Sequence, residues 1–73
     1  MNQKNFMPFY EYRDAVIRQL KEHINDPEYL EALEPDIKKN YDELVEVSEF
    51  LGEDQISPNG YALGILLLYP DLP

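Results

Sequence analysis

Apolar residues recur at helical spacing in the first third of the chain. Steps of three and four residues join the members of this series, which are Phe9, Tyr12, Val16, Leu20 and Ile24. Such steps place side chains on one face of an α-helix. Pro8 suits the first turn of a helix, where its missing N–H costs nothing. We therefore expect an amphipathic helix from Pro8 to about Asn25, preceded by a loose lead-in over residues 1–7 in which Phe6 and Met7 are apolar enough to pack.

Two further helix starts follow, each marked by a proline. Asp26 offers a capping oxygen and Pro27 suits the first helical position, so a short second helix should run from there until Pro35 interrupts it. Pro35 can itself open a third helix. The apolar series of that helix is Ile37, Tyr41, Leu44, Ser48 and Leu51. Gly52 is typical of the residue that follows a helix C-terminus.

The last third of the chain is apolar on every side. Ser57 and Pro58 repeat the cap-then-proline pattern, and residues 61–69 follow without a charge. Periodicity alone leaves a buried strand and a buried helix open for this segment. A helix is favoured because no other segment offers a strand to pair with, and Pro70 should end it. The sequence thus predicts an all-α fold, a small bundle of three to four short helices with an apolar C-terminal segment.

Composition indicates one folded domain. With 73 residues the chain is near the lower size limit for folding without disulfides or metals, so we treat 1–73 as a single domain. It contains no cysteine, which excludes disulfides and thiolate metal sites. Hydrophobic residues make up 44% of the chain, which argues against wholesale disorder.

No segment suits a membrane span or a secretory signal. The longest uncharged apolar run covers residues 61–69, whereas a bilayer-spanning helix needs about 20 residues. The opening residues 1–5 lack the apolar run of a secretory signal. We expect a soluble chain in the cytoplasm.

Charge is segregated along the chain. Residues 1–21 carry four bases and two acids, a net of +2, whereas residues 22–54 carry twelve acids and two bases, a net of −10. Asp71 adds −1, which brings the whole chain to −9. A central segment this acidic either limits aggregation or presents a surface to a basic partner.

The acidic residues of the third helix are predicted to form one column. Its members are spaced by four, three and four residues, and a neighbour widens the column: Asp42, Glu46, Glu49, Glu53 and, beside them, Glu43. One interpretation is a solvated outer face. The other is a contact surface that matches a groove of Lys and Arg or imitates nucleic-acid phosphates. Divalent-ion binding has no support, because the spacing of a calcium-binding loop is missing.

The N-terminal aromatic segment offers a second candidate contact. Tyr10 falls off the apolar face of the first helix, and with Arg13, Lys21 and Arg18 it could form a small basic and aromatic patch. The alternative is that the aromatic residues of this segment belong to the core. Direct nucleic-acid binding is not expected at this net charge.

No arrangement of residues points to catalysis. His23 is the only histidine, and Ser48 and Ser57 are the only serines. The sequence contains no acyl-transfer motif, no phosphate-binding glycine loop and no zinc-ligand spacing. We expect a protein that is not an enzyme and has no cofactor, no metal and no small-molecule substrate. An uncovered side of the apolar C-terminal segment would instead serve self-association or scaffolding.

The opening MNQKNFMPFYEYRDAVIRQL, the length and the acidic centre together resemble the small transcription regulators of lytic Xanthomonas phages. The resemblance implies a host-takeover protein that acts in the host cytoplasm. Such a protein binds the largest catalytic subunit of bacterial RNA polymerase, suppresses initiation and permits read-through at terminators. The likeness covers the whole chain without a diagnostic motif, and it assigns no functional residue.

Overall fold

Residues 6–68 are described by a computed structural model, and they form four α-helices. In chain order these are α1 (Phe9–Lys21), α2 (Pro27–Ala32), α3 (Glu34–Leu51) and α4 (Pro58–Leu68). No strand occurs within this range. The expected all-α bundle is confirmed, and the apolar segment is helical through Leu68. The expected helix end at Pro70 lies outside the described residues.

The first helix is shorter than its apolar series predicts. α1 ends at Lys21, not near Asn25. The N–H groups of Glu22 and His23 donate to carbonyls three residues back, which tightens the chain out of α-helical geometry. Ile24 is nevertheless buried, and its N–H reaches the Leu20 carbonyl at 2.7 Å. The periodicity therefore identified a core residue correctly but overestimated the length of the helix.

Local capping signals are confirmed. The Asp26 carboxylate accepts a hydrogen bond from the Tyr29 N–H at 3.1 Å, at the start of α2. The Ser57 hydroxyl accepts from the Gly60 N–H at 3.2 Å, at the start of α4. Gly52 follows α3 with φ +76°, a left-handed conformation that strains any residue with a Cβ.

The core is built around α1. Its fully or nearly fully buried apolar residues are Tyr12, Val16, Leu20, Ile24, Leu30, Leu33, Ile37 and Ala62. α4 packs chiefly on α1, and α3 also contacts α1. At the α1–α3 contact the Tyr41 ring lies 5.5 Å from the Phe9 ring and 5.3 Å from the Tyr12 ring, centroid to centroid. These separations are typical of favourable aromatic pairs.

The end of the lead-in is attached to this aromatic cluster. The Tyr41 hydroxyl donates to the Met7 carbonyl, and the Met7 side chain packs against the core. Phe6 is also half-buried. The packing of Met7 agrees with the expectation that the apolar residues Phe6 and Met7 can pack, and residues 1–5 of the expected lead-in lie outside the described range.

Ser48 is the only buried polar residue of the described core, and it holds the loop after α3. Its hydroxyl accepts from the Gln55 N–H at 2.7 Å, while its carbonyl accepts from the Gly52 and Glu53 N–H groups. Leu51, expected in the apolar series of α3, is instead 54% exposed. Ser48 is the last buried residue of α3, so the core ends before Leu51.

Candidate protein-binding surface

An acidic face runs along the outer side of α3. We define this acidic face by Asp42, Glu43, Glu46 and Glu49, all of which are exposed. The buried residues of the same helix, Ile37 and Ser48, occupy the opposite side. The amphipathic spacing of α3 therefore aims the carboxylates at solvent, as the sequence predicts for these four positions.

One end of the acidic face is neutralised. The Lys38 ammonium lies 2.8 and 3.1 Å from the two carboxylate oxygens of Asp42. It also lies 5.4 Å from the centre of the Phe9 ring, within range of a cation–π contact. Lys38 thus holds Asp42 and ties α3 to the start of α1. Within residues 6–68, Glu43, Glu46 and Glu49 make no ion pair, so they carry the unbalanced charge of the face.

The predicted acidic column includes one residue, Glu53, that lies beyond the end of α3. α3 ends at Leu51, and the left-handed Gly52 turns the chain before Glu53. Glu53 is exposed, but it lies in the loop and its N–H donates to the Ser48 carbonyl at 3.2 Å. Helical spacing no longer applies after Gly52, which is why Glu53 leaves the column.

The aromatic and basic candidates lie on α1. Tyr10 is 65% exposed, as its position off the apolar face predicts. Arg13 is half-buried, and its guanidinium nitrogens lie 3.1 Å from an Asp14 oxygen and 3.6 Å from a Glu34 oxygen. Part of its charge is therefore used within the molecule, where it links α1 to the first residue of α3. No signal in the sequence pairs Arg13 with Glu34, because the two residues are distant in the chain.

Large apolar side chains are exposed at the end of α3 and along α4. They are Val47, Phe50, Leu51, Leu63, Leu67 and Leu68. The sequence raised an uncovered side of the C-terminal apolar segment as a possibility, and three leucines of α4 are exposed in the structure. Phe50, which is 87% exposed, was not singled out, although its position off the series Ile37, Tyr41, Leu44 and Ser48 is the signal that could have found it.

Two tyrosines between the helices have perturbed acidities. Burial, followed by the nearby Tyr61, raises the pKa of Tyr12 from 10.0 to about 12. The Tyr12 hydroxyl donates to the Asn40 side-chain oxygen at 2.6 Å. Burial also raises the pKa of Tyr61, with further contributions from the charges of Asp36 and Tyr29. Both phenols are therefore neutral at ordinary pH.

A metal site and a membrane-spanning helix are both missing from the described range. Between residues 6 and 68, no group of three or more His, Cys, Asp or Glu side chains is placed to hold a metal ion. In the same range, no helix combines the length and apolar character needed to cross a bilayer. Comparison with protein-family models, curated proteins and solved structures finds no match.

Proposed function

We propose that this chain is an interaction protein that binds bacterial RNA polymerase and inhibits initiation of transcription, with read-through at terminators as a further effect. The observation that carries the proposal is the acidic face, where Glu43, Glu46 and Glu49 are exposed on one side of α3 without ion-pair partners in the described chain. The whole-chain resemblance to phage transcription regulators supplies the identity of the partner.

Unpaired carboxylates on one side of a chain of net charge −9 attract a basic protein surface over a long range. Charges at the rim of an interface act mainly on the association rate and on its salt dependence. Close packing of a few large side chains supplies most of the affinity. On α1 the candidates for such packing are the exposed side chain of Tyr10 and the solvent-facing part of the Arg13 side chain.

The test is a double charge reversal on the acidic face, Glu46→Lys with Glu49→Lys. We expect slower association with purified bacterial RNA polymerase and a weaker salt dependence, measured by surface plasmon resonance, together with loss of inhibition in an initiation assay. The matched control is Glu28→Lys with Glu31→Lys on α2, which changes the net charge equally at exposed positions. Circular dichroism verifies that both variants are folded.

Equal effects of the two double variants would show that only net charge matters and would refute the acidic face as the contact. Absence of binding by the unaltered protein to RNA polymerase would refute the choice of partner.

A further inference from the structure

Asn59 and Gly60 form an asparagine–glycine pair in the first turn of α4, directly after Pro58. Asparagine is among the thermolabile residues of proteins. When glycine follows it, no Cβ shields the next backbone nitrogen, so this nitrogen can approach the side-chain amide. Both residues are exposed, so water reaches them. The other asparagines of the described range, Asn25 and Asn40, precede residues that carry a side chain.

Two hydrogen bonds hold the pair in its helical conformation. The Gly60 N–H donates to the Ser57 hydroxyl at 3.2 Å, which caps α4. The Asn59 side-chain oxygen accepts from the Gln19 side-chain amide, which holds the asparagine side chain against α1. Ring closure between an asparagine side chain and the next backbone nitrogen needs a ψ angle outside the helical range. The intact first turn of α4 therefore keeps the Gly60 nitrogen from the Asn59 amide carbon.

The first turn of α4 can open without unfolding of the core. Ser57, Asn59 and Gly60 are exposed, and the first buried residue of the helix is Ala62. The hydrogen bond from the Tyr61 N–H to the Ser57 carbonyl is long, at 3.4 Å. A helix end with few buried contacts opens at a lower cost in free energy than the whole molecule.

We infer that Asn59 is a self-modification site, where local opening of the first turn of α4 permits deamidation to aspartate or isoaspartate. In the opened turn the Gly60 nitrogen gives its proton to hydroxide and bonds to Cγ of Asn59. The Cγ–Nδ2 bond breaks, and Nδ2 leaves as ammonia after taking a proton from water. A water molecule then opens the succinimide ring at either of its two carbonyls. The net reaction consumes one water, converts the amide to an acid and releases one ammonia.

The two products differ in their effect on α4. Aspartate near the N-terminus of a helix interacts favourably with the helix dipole, so this product should preserve the helix. Isoaspartate adds one carbon to the main chain, because the chain then runs through the former side chain. This addition displaces the oxygens of Ser57 from the N–H groups of Gly60 and Tyr61, which donate to them in the unmodified helix. The isoaspartate product should therefore loosen the packing of α4 on α1.

The test follows deamidation of the full chain at mildly alkaline pH. Peptide mass spectrometry measures the conversion at each asparagine, and isoaspartyl methyltransferase detects isoaspartate. In the folded protein we expect faster conversion at Asn59 than at Asn25 and Asn40. Unfolding in urea should accelerate the conversion at Asn59 by about tenfold or more, because the first turn of α4 is then always open. This experiment is independent of the RNA polymerase proposal, because it needs no partner.

Variants separate local opening from unfolding of the whole chain. Ser57→Ala removes the acceptor of the Gly60 N–H and should raise the rate at Asn59 about fivefold, as expected for the loss of one helix cap. Asp26→Ala is the matched control, because it removes the equivalent cap of α2. It lowers the overall stability similarly but leaves the start of α4 intact. The rate at Asn59 should therefore change by less than about twofold in this control.

Three results would overturn the inference. The first is conversion at Asn59 no faster than at Asn25 and Asn40 in the folded chain, which would show that the pair is not a reactive site. The second is equal acceleration by Ser57→Ala and Asp26→Ala, which would assign the reaction to unfolding of the whole chain. The third is a product without isoaspartate, which would exclude the succinimide ring, since opening of this ring yields both acids.

Discussion

Tyr12 couples the packing of the bundle to pH. The side chain is fully buried and its hydroxyl donates to Asn40, so the charged phenolate is disfavoured in the folded state. Its pKa is raised from 10.0 to about 12. Between these values the unfolded chain releases the proton while the folded chain keeps it. The contribution of Tyr12 to the free energy of unfolding should therefore be fully present below pH 10 and should be lost as the pH rises towards 12.

The Tyr12→Phe variant isolates this effect. At neutral pH the variant should be less stable by about 1 kcal/mol, because the Asn40 oxygen loses its donor. Between pH 10 and 12 the wild-type protein should lose on the order of 2 kcal/mol that the variant does not lose, because phenylalanine has no proton to release, so the difference should shrink to zero and then reverse in favour of the variant. Urea unfolding at a series of pH values measures the gap. Tyr10→Phe at the exposed position is the control, and a Tyr12→Phe gap that stays constant with pH would contradict the prediction.

Helix ends depend on nearby residues in the chain, so they are easier to predict from the sequence than the packing between helices. Asp26 and Ser57 cap α2 and α4 as the sequence predicts, and Gly52 ends α3 in the left-handed region. The same glycine explains the misplaced Glu53: the helical spacing was extended across a residue that stops the helix. Asn25 was misjudged for a related reason, because Ile24 remains in the core after α1 has ended.

Two glycine-to-alanine substitutions should have opposite effects. Gly52→Ala should destabilise the protein by about 1 kcal/mol, because a Cβ is strained at φ +76°. Gly64→Ala should stabilise it by roughly 0.5–1 kcal/mol, because the position is helical and an added Cβ meets no atom within 4 Å. Thermal unfolding measures both. A destabilised Gly64→Ala variant would mean that the space around Gly64 is tighter than the structure has it.

At the scale of the whole molecule, the sequence predicted an all-α bundle of three to four helices, but it left residues 61–69 open between helix and strand and did not determine how the helices are arranged. The caps and prolines are local signals, so they could be recognised without a structure. The inward side of α4 could not be predicted, because an all-apolar helix has no polar side to mark its outside. The contact of Arg13 with Glu34 likewise depends on how α1 and α3 cross. The solvent-facing position of Glu46 and Glu49, by contrast, follows from helical spacing alone.

Because the chain carries a large net negative charge, added salt should stabilise the fold. The ion pairs within residues 6–68 involve only the bases Arg13 and Lys38, and the side chains in these pairs are 39–58% exposed. Such pairs contribute little, whereas repulsion in a chain of net charge −9 opposes compactness. The thermal midpoint should therefore rise as sodium chloride increases from low to moderate concentration.

Circular dichroism melts at several salt concentrations measure this dependence. The variant Glu46→Gln with Glu49→Gln should begin from a higher midpoint and respond less to salt, because two repelling charges are removed. A midpoint that falls with added salt would mean that the ion pairs outweigh the repulsion.

The contact between α1 and α4 has a consequence during synthesis. α1, α2 and α3 leave the ribosome before α4, so the side of α1 that receives Ala62 stays open to water until residues 58–68 have emerged. Contacts between segments so distant in the chain form late. During that interval the nascent chain exposes the apolar face of α1 that packs on α4, a state prone to aggregation. The acidic block of residues 22–54 has already emerged by then, and its mutual repulsion keeps neighbouring nascent chains apart.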